Sequence, residues 1–180
     1  MPNLNPHADE DRIGSILRPL GISPEHLEGR ALPRYEQAQE LIAAETDGRG
    51  REHRLIPPAA AAWRALKGAA RSQGVTLLIA SAFRSVDRQA EIIRAKLEAG
   101  VPLTRILALN APPGYSEHHT GRAVDVTTPG MRALAPEFEQ TEAFRWLSAN
   151  ANVFRYFLSY PPGNPQGFVY EPWHWCYRDG

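Results

Sequence analysis

The chain has 180 residues, which favours a single domain with a sizeable hydrophobic core. Its 20 Lys and Arg residues balance 20 Asp and Glu residues, so bulk charge gives no reason to expect nucleic acid or another polyanion as a partner. Cys176 is the single cysteine, which excludes an internal disulfide and gives no sign of an oxidising compartment.

The N-terminus, MPNLNPHADEDR, lacks the basic segment and apolar run of a secretory signal. No apolar stretch in the sequence approaches the length of a membrane span, so we expect no membrane association. On these grounds the sequence predicts a soluble cytoplasmic protein.

Residues 1–34 are polar and interrupted by prolines, and we predict an N-terminal arm that lies on the domain and is not a core element. A short helix is predicted within residues 11–20. The catalytic domain is predicted to comprise residues 35–180. Residues 35–46 are rich in Ala and Glu and predict its first helix, followed by a loop over residues 46–52.

Capping residues and apolar patterns predict the remaining elements. Pro57 and Pro58 favour the start of a helix and Gly74 its end, while Ser85 can cap a helix that stops before Gly100. Helices are predicted at residues 59–72, 86–98, 103–109 and 141–149, and strands at residues 75–80, 122–126, 153–160 and 168–177. Helices dominate the first half and strands the second, without regular βαβ alternation. The predicted fold class is therefore α+β, with a small, mainly antiparallel sheet and helices packed on it.

Metal-binding residue types are concentrated in residues 115–126, which read YSEHHTGRAVDV. Asp125 falls in a short strand with apolar neighbours, where a carboxylate is costly unless it is paired or binds a metal. His118 lies in the loop before this strand and can fold back over it. An imidazole and a carboxylate suit a divalent ion of the zinc type.

A second stretch, YEPWHW at residues 170–175, can complete such a site. A catalytic zinc site needs three protein ligands and one open position, and this stretch offers a third ligand and a base in Glu171 and His174. On a regular strand two residues three apart would point to opposite faces. Pro172 interrupts any ladder here, so we expect a bend that turns both side chains toward one site.

Together these motifs resemble the signature of the VanY-type zinc D-alanyl-D-alanine carboxypeptidases, relatives of the VanX dipeptidases that share the hedgehog/DD-peptidase fold. The resemblance lies in Ser116-x-His118-x-x-Gly121-x-Ala123-x-Asp125 followed by Glu171-x-x-His174. An upstream segment, SAFRSVDRQ at residues 81–89, is similar to a third motif of the family, with Phe83 where Tyr is common. The similarity spans roughly residues 55–177 and leaves the N-terminal arm uncovered.

The resemblance implies one zinc ion bound by His118, Asp125 and His174, with Glu171 as the catalytic base. It also implies that Arg84, Gln89 and Ser116 contact the substrate. Arg84 is the first cation of the upstream motif. A fixed guanidinium there can stabilise an oxyanion or bind the substrate's carboxylate, and the sequence leaves both roles open. Trp173 is expected to form an apolar wall beside the metal and Tyr115 to line the opening.

Other residues near the motifs are expected to be structural. His119 is expected to support the site without binding metal, Trp175 to pack in the core, and Cys176 to be a buried free thiol. His7, His26 and His53 lie outside the motifs and are expected to be exposed.

Three functions are compatible with the sequence. The first is a carboxypeptidase that removes the terminal D-alanine from peptidoglycan stem peptides, as an L,D-carboxypeptidase on recycled tetrapeptides in the cytoplasm or as a D,D-carboxypeptidase on pentapeptides. The second is a D-Ala-D-Ala dipeptidase or a wall endopeptidase with the same chemistry. The third is a zinc-containing binding module without hydrolysis, which the presence of Glu171 argues against.

Overall fold

The computed structural model describes residues 6–179, with side chains from residue 12 onward. Its helices are α1 (Pro6–Leu17), α2 (Pro57–Ser72), α3 (Val86–Glu98), α4 (Leu103–Leu109) and α5 (Glu142–Asn150). Its strands are β1 (Ile42–Thr46), β2 (Glu52–Leu55), β3 (Leu78–Ser81), β4 (Ala123–Thr127), β5 (Tyr156–Leu158) and β6 (His174–Tyr177). Among the described residues, no helix has both the length and the apolar character needed to cross a membrane.

The strands form two antiparallel sheets, which confirms the predicted α+β class. β1 pairs with β2 in a two-stranded sheet, and the order in the four-stranded sheet is β3-β4-β6-β5. Side chains alternate between the two faces of the larger sheet. One face packs in the main core through residues such as Val124, Val126 and Trp175, together with α2 and α5. The other face carries Asp125 and His174, which lie directly opposite each other on β4 and β6.

A second hydrophobic cluster lies between α1, α3 and α4. Ile13 and Leu17 of α1, followed by Leu20, are buried there against Ile93 and Ile106. Residues 13–22 therefore contribute to a hydrophobic core cluster, and for them the prediction that the segment is not a core element is wrong. Its polar composition concealed the few apolar residues that reach this cluster.

The predicted helix over residues 35–46 is also wrong. Residues 42–46 form β1, and the preceding segment donates backbone hydrogen bonds from Tyr35 to the Gly114 carbonyl (2.9 Å) and from Ala38 to the His119 carbonyl (2.8 Å). These tertiary bonds replace the local bonds of a helix, because tertiary context overrides the modest helix preference of Ala and Glu.

Helix predictions elsewhere are confirmed, whereas three of the four predicted strands are shorter than predicted. The Ser85 hydroxyl accepts a hydrogen bond from the Arg88 amide and caps α3, and Gly74 after α2 has a φ of +81°. On α3, Ile93 is fully buried, but Ile92 and Leu97 are only partly so. Residues 151–154 form a 3-10 turn that leaves β5 only three residues long, and β6 begins at His174.

His53 is a further exception, since only 4% of its surface is exposed, against the prediction of exposure. It lies on β2, and its Nε2 is 3.7 Å from the Asp47 carboxylate. Burial lowers the pKa of His53, which keeps the ring neutral. His26 is partly buried against Ser23, and the side chain of His7 lies outside the described residues.

Gly121 joins the turn that carries His118 to strand β4. Its φ is +65°, and its carbonyl accepts a hydrogen bond from the Ile56 amide at 3.0 Å. A β-carbon at this position would lie 2.7 Å from Leu41 Cδ2 and 3.2 Å from the Ile56 nitrogen. Both the backbone conformation and the close approach therefore require glycine.

Replacing Gly121 by Ala should lower the free energy of unfolding by about 2 kcal/mol or more, because strain and overlap add. The matched control is Gly68→Ala on the exposed face of α2, where a β-carbon meets nothing within 4 Å. The control should stabilise the protein by about 0.5–1 kcal/mol through helix propensity. Urea unfolding of the three proteins measures both effects, and equal midpoints for Gly121→Ala and wild type would contradict this account.

Candidate active site

A cavity of about 240 Å³ opens on the face of the larger sheet that carries Asp125 and His174. Side chains from three separated motifs line it: Arg84 and Gln89 from the upstream motif, Ser116, His118 and Asp125 from the central one, and Glu171, Trp173 and His174 from the C-terminal one. Residues distant in sequence thus meet at one cavity, in the grouping that the motifs predict.

His118, Asp125 and His174 form a compact buried cluster. Each offers one ligand atom, and the three atoms lie within 4.8 Å of one another. The Asp125 carboxylate lies between the two rings, with Oδ2 at 3.2 Å from His118 Nε2 and Oδ1 at 3.0 Å from His174 Nδ1. One carboxylate and two imidazoles are a donor set that suits zinc.

Neighbouring groups fix which ring nitrogen each histidine offers. His118 Nδ1 lies 2.7 Å from the Ala82 carbonyl, so this nitrogen carries the proton and Nε2 remains free to bind a metal. His174 is oriented the other way, because its Nε2 lies 2.9 Å from Glu117 Oε2 and Nδ1 faces Asp125. His118 Nε2 and His174 Nδ1 thus converge on the Asp125 carboxylate, and these are the two nitrogens that would bind a metal.

The electrostatics of the cluster also fit a cation. Burial opposes charge on His174, yet its hydrogen bonds to Asp125 and Glu117 raise its pKa to about 10. Burial likewise opposes ionisation of Asp125, but the two histidines lower the pKa of this carboxyl. A proton on His174 therefore balances the buried carboxylates, and a divalent ion can replace it.

Glu117 is the functional residue to which the sequence analysis assigned no role. Its Oε2 accepts hydrogen bonds from His174 Nε2 and from the Ser159 hydroxyl, at 2.9 and 2.5 Å. Burial alone would raise its pKa, but these donors lower the pKa to about 2. A carboxylate behind a metal-binding histidine is a recurrent device. In the sequence, the only sign of this role is that Glu117 stands directly before His118 in the motif.

Glu171 stands beside the cluster on a tight turn. The His174 amide donates to the Glu171 carbonyl at 3.1 Å, and the turn around Pro172 brings Glu171 Oε2 to 3.9 Å from His174 Nδ1. This confirms the bend predicted for the second motif. Burial raises the pKa of Glu171 to about 7, helped by the nearby Asp125 carboxylate.

Arg84 also lies beside Asp125, with its Nη2 at 3.7 Å from the Asp125 Oδ2. Its Nη1 donates to Gln89 Oε1 at 2.8 Å and its Nη2 to the Ser81 hydroxyl at 3.2 Å. Gln89 in turn donates to the Ala111 carbonyl at 2.7 Å. Gln89 is thus fixed by Ala111 through its nitrogen and holds the Arg84 guanidinium through its oxygen, a structural use that the sequence did not predict.

The remaining predicted residues are divided between the cavity and the framework. Ser116 lines the cavity, and its hydroxyl also accepts from the His118 amide at 3.4 Å. Trp173 forms part of the wall, as predicted. Tyr115 does not line this cavity; it packs against the second hydrophobic cluster, and the Arg34 guanidinium lies over its ring. The reason is that the chain reverses at Gly114, which directs Tyr115 toward α1.

Two neighbours that could be mistaken for ligands have structural positions. His119 is fully buried, accepts from the Gly114 amide through Nε2 at 3.1 Å and contacts the Arg84 carbonyl through Nδ1 at 2.7 Å. Cys176 is a buried free cysteine, as predicted, and burial together with the nearby Glu117 raises the pKa of its thiol. A neutral thiol is a poor metal ligand.

Known proteins resemble this chain in sequence and in fold. The family described as "VanY: D-alanyl-D-alanine carboxypeptidase" matches residues 52–180. A D-alanyl-D-alanine carboxypeptidase of Enterococcus faecalis (strain ATCC 700802 / V583) is 34% identical over 119 residues, which cover 61% of this chain and 42% of the relative. The putative carboxypeptidase YodJ of Bacillus subtilis (strain 168) is 32% identical over 127 residues, covering 66% and 44%. The chain thus spans less than half the length of these curated relatives.

Solved structures agree with the sequence relatives. The LdcB LD-carboxypeptidase, whose structure addresses peptidoglycan recognition, superposes with a TM-score of 0.70 at 27% identity, covering 81% of this chain and 71% of that one. A mutant of the vancomycin resistance D,D-pentapeptidase VanY in complex with Zn(II) gives a TM-score of 0.58 at 29% identity, covering 79% and 85%. With the motifs, the fold and the family match in agreement, the chain belongs to the VanY family of D-alanyl-D-alanine carboxypeptidases.

Proposed function

We propose that this chain is a zinc-dependent carboxypeptidase that removes the C-terminal D-alanine from peptidoglycan stem peptides. The observation that carries the proposal is the buried cluster of His118, Asp125 and His174, which shares one cavity with Glu171. The VanY relative in complex with Zn(II) supports zinc as the cofactor, and the VanYB structure in complex with D-alanine-D-alanine supports a peptide ending in D-alanine.

In this proposal His118, Asp125 and His174 hold the zinc ion. When bound, zinc polarises the scissile carbonyl and acidifies water, which is the chemistry that peptide hydrolysis at neutral pH requires. The buried carboxylate of Glu117 holds His174 Nε2, so that Nδ1 is the nitrogen that would bind the ion. The turn at Pro172 then keeps the Glu171 carboxylate beside the reacting centre.

Glu171 is the proposed general base. Its carboxylate accepts a proton from the attacking water and later passes it to the amine of the departing D-alanine. Burial raises the pKa of its carboxyl above the ordinary range, which favours the uptake of a proton from water. Arg84, fixed by Gln89 and Ser81, offers a positive charge that can stabilise the developing oxyanion or bind the substrate's carboxylate.

The two classes of carboxypeptidase differ in the stereochemistry of the residue that precedes the terminal D-alanine. An L,D-carboxypeptidase acts on tetrapeptides, in which an L-centre precedes D-alanine, and the similarity to the LD-carboxypeptidase LdcB supports this choice. A D,D-carboxypeptidase acting on pentapeptides is the second candidate, supported by the similarity to the D,D-pentapeptidase VanY. A cytoplasmic location and a role in wall recycling stay predictions, which fractionation of the producing cells would test.

The function is tested by digestion of purified stem peptides. The zinc-loaded protein should remove one alanine from the tetrapeptide faster than from the pentapeptide, as measured by mass spectrometry, and a chelator should stop the reaction. Glu171→Gln should retain zinc and lose roughly 10²- to 10⁴-fold in rate, because it cannot accept the proton. The proposal fails if neither peptide loses alanine, and the base assignment fails if Glu171→Gln matches wild type.

The support of the metal by Glu117 has its own test. Glu117→Gln keeps the size of the side chain but removes its charge, and zinc affinity should fall roughly 10- to 100-fold, as for other groups behind metal-binding histidines. Competition with a chromophoric chelator measures this without reference to activity. The matched control is Glu98→Gln at the exposed end of α3, which should bind zinc as wild type does. Equal affinity of Glu117→Gln and wild type would refute the role.

A further inference from the structure

Lys96 on α3 is a second cation at the cavity, beyond the groups used so far. It lines the cavity, is partly buried, and donates from Nζ to Asn110 Oδ1 at 2.9 Å. Asn110 is itself fixed, because its Nδ2 donates to the Ile106 carbonyl at 2.9 Å. Within residues 12–179 no carboxylate lies within salt-bridge distance of Lys96, which leaves an oriented ammonium without a counterion.

The position of Lys96 relative to the metal cluster follows from helix geometry. Gln89 and Lys96 are seven residues apart on α3, which places them on the same face and about 10 Å apart along the axis. A helical side chain points back toward the N-terminal end, so Lys96 reaches toward Gln89 and the Arg84 guanidinium that Gln89 holds. From the metal cluster outward, these groups therefore lie in the spatial order Asp125, Arg84, Gln89 and Lys96.

The two cations are suited to different parts of a substrate. Arg84 lies 3.7 Å from a metal-binding carboxylate and is held by two hydrogen bonds, so it is beside the bond that is cleaved. The terminal carboxylate of a peptide substrate lies one residue farther on, roughly 4 Å away. A cation beyond Arg84 meets this requirement.

We propose that Lys96, held by Asn110, binds the C-terminal carboxylate of the substrate and leaves Arg84 to stabilise the oxyanion. The inference rests on the proposed carboxypeptidase function and adds a binding subsite to it. It also chooses between the two roles that the sequence left open for Arg84. Burial and the charge of Arg84 lower the pKa of Lys96, and a bound carboxylate would offset both effects.

The test compares two peptides in two backgrounds. In the zinc-loaded Glu171→Gln protein, calorimetry measures Kd for the tetrapeptide and for the same peptide ending in D-alaninamide, which has no terminal carboxylate. The acid should bind roughly 10- to 100-fold more tightly than the amide, the gain expected from one hydrogen bond between charged groups. Adding Lys96→Met should reduce this ratio to near one by weakening the acid alone.

Two control variants accompany Lys96→Met, one at the same position and one elsewhere on α3. Lys96→Arg keeps the charge and should retain most of the discrimination, whereas Arg94→Met on the exposed face of α3 should leave the ratio unchanged. A ratio that survives Lys96→Met would overturn the inference and assign the carboxylate to Arg84. If neither peptide binds and the enzyme with Glu171 intact cleaves neither of them, the proposed function itself fails, and this subsite with it.

Discussion

The buried carboxylate of Asp125 between two imidazoles is the constraint on which the site depends. A carboxylate with so little exposure is strongly unfavourable without positive charge beside it. A proton on His174 can supply that charge, and the same geometry brings together two ring nitrogens and a carboxylate oxygen that suit a divalent ion. The requirement for positive charge and the donor set of a metal site are thus met by the same three side chains.

The fold meets this constraint by assembling the site from rigid parts. Asp125 and His174 are opposite each other on adjacent strands, so backbone pairing sets their distance. His118 lies on a turn that Gly121 ends in a conformation favourable only for glycine. Glu117 in that same turn reaches back to His174, which links the two motifs through one hydrogen bond. Precise placement of the ligands is therefore a consequence of the sheet and of one turn.

Helix α3 connects the site to the second hydrophobic cluster. Its buried face packs against α1 through residues such as Ile93, while Gln89 and Lys96 of the same helix face the cavity. The described part of α1 thus packs against the helix on which the proposed carboxylate subsite lies.

The sequence predicted the site better than the fold around it. The ligand cluster and Glu171 were predicted from residue chemistry together with the resemblance to the VanY family, and α2, α3, α4 and α5 from caps and apolar periodicity. Strand β1 was mistaken for a helix because its pairing with β2 and the bonds of Tyr35 and Ala38 are set by tertiary contacts. Tyr115 and Glu117 were misjudged or missed for a similar reason, since the direction of a side chain in an irregular turn depends on the whole fold.

Anomalous scattering at the zinc edge from crystals of the zinc-loaded protein tests the central claim most directly. The account predicts one strong peak bonded to His118 Nε2, an Asp125 oxygen and His174 Nδ1, each at about 2.0–2.2 Å. Glu117 should remain hydrogen-bonded to His174 Nε2. A peak bonded to His119 or Cys176, or a zinc ion elsewhere in the molecule, would contradict it.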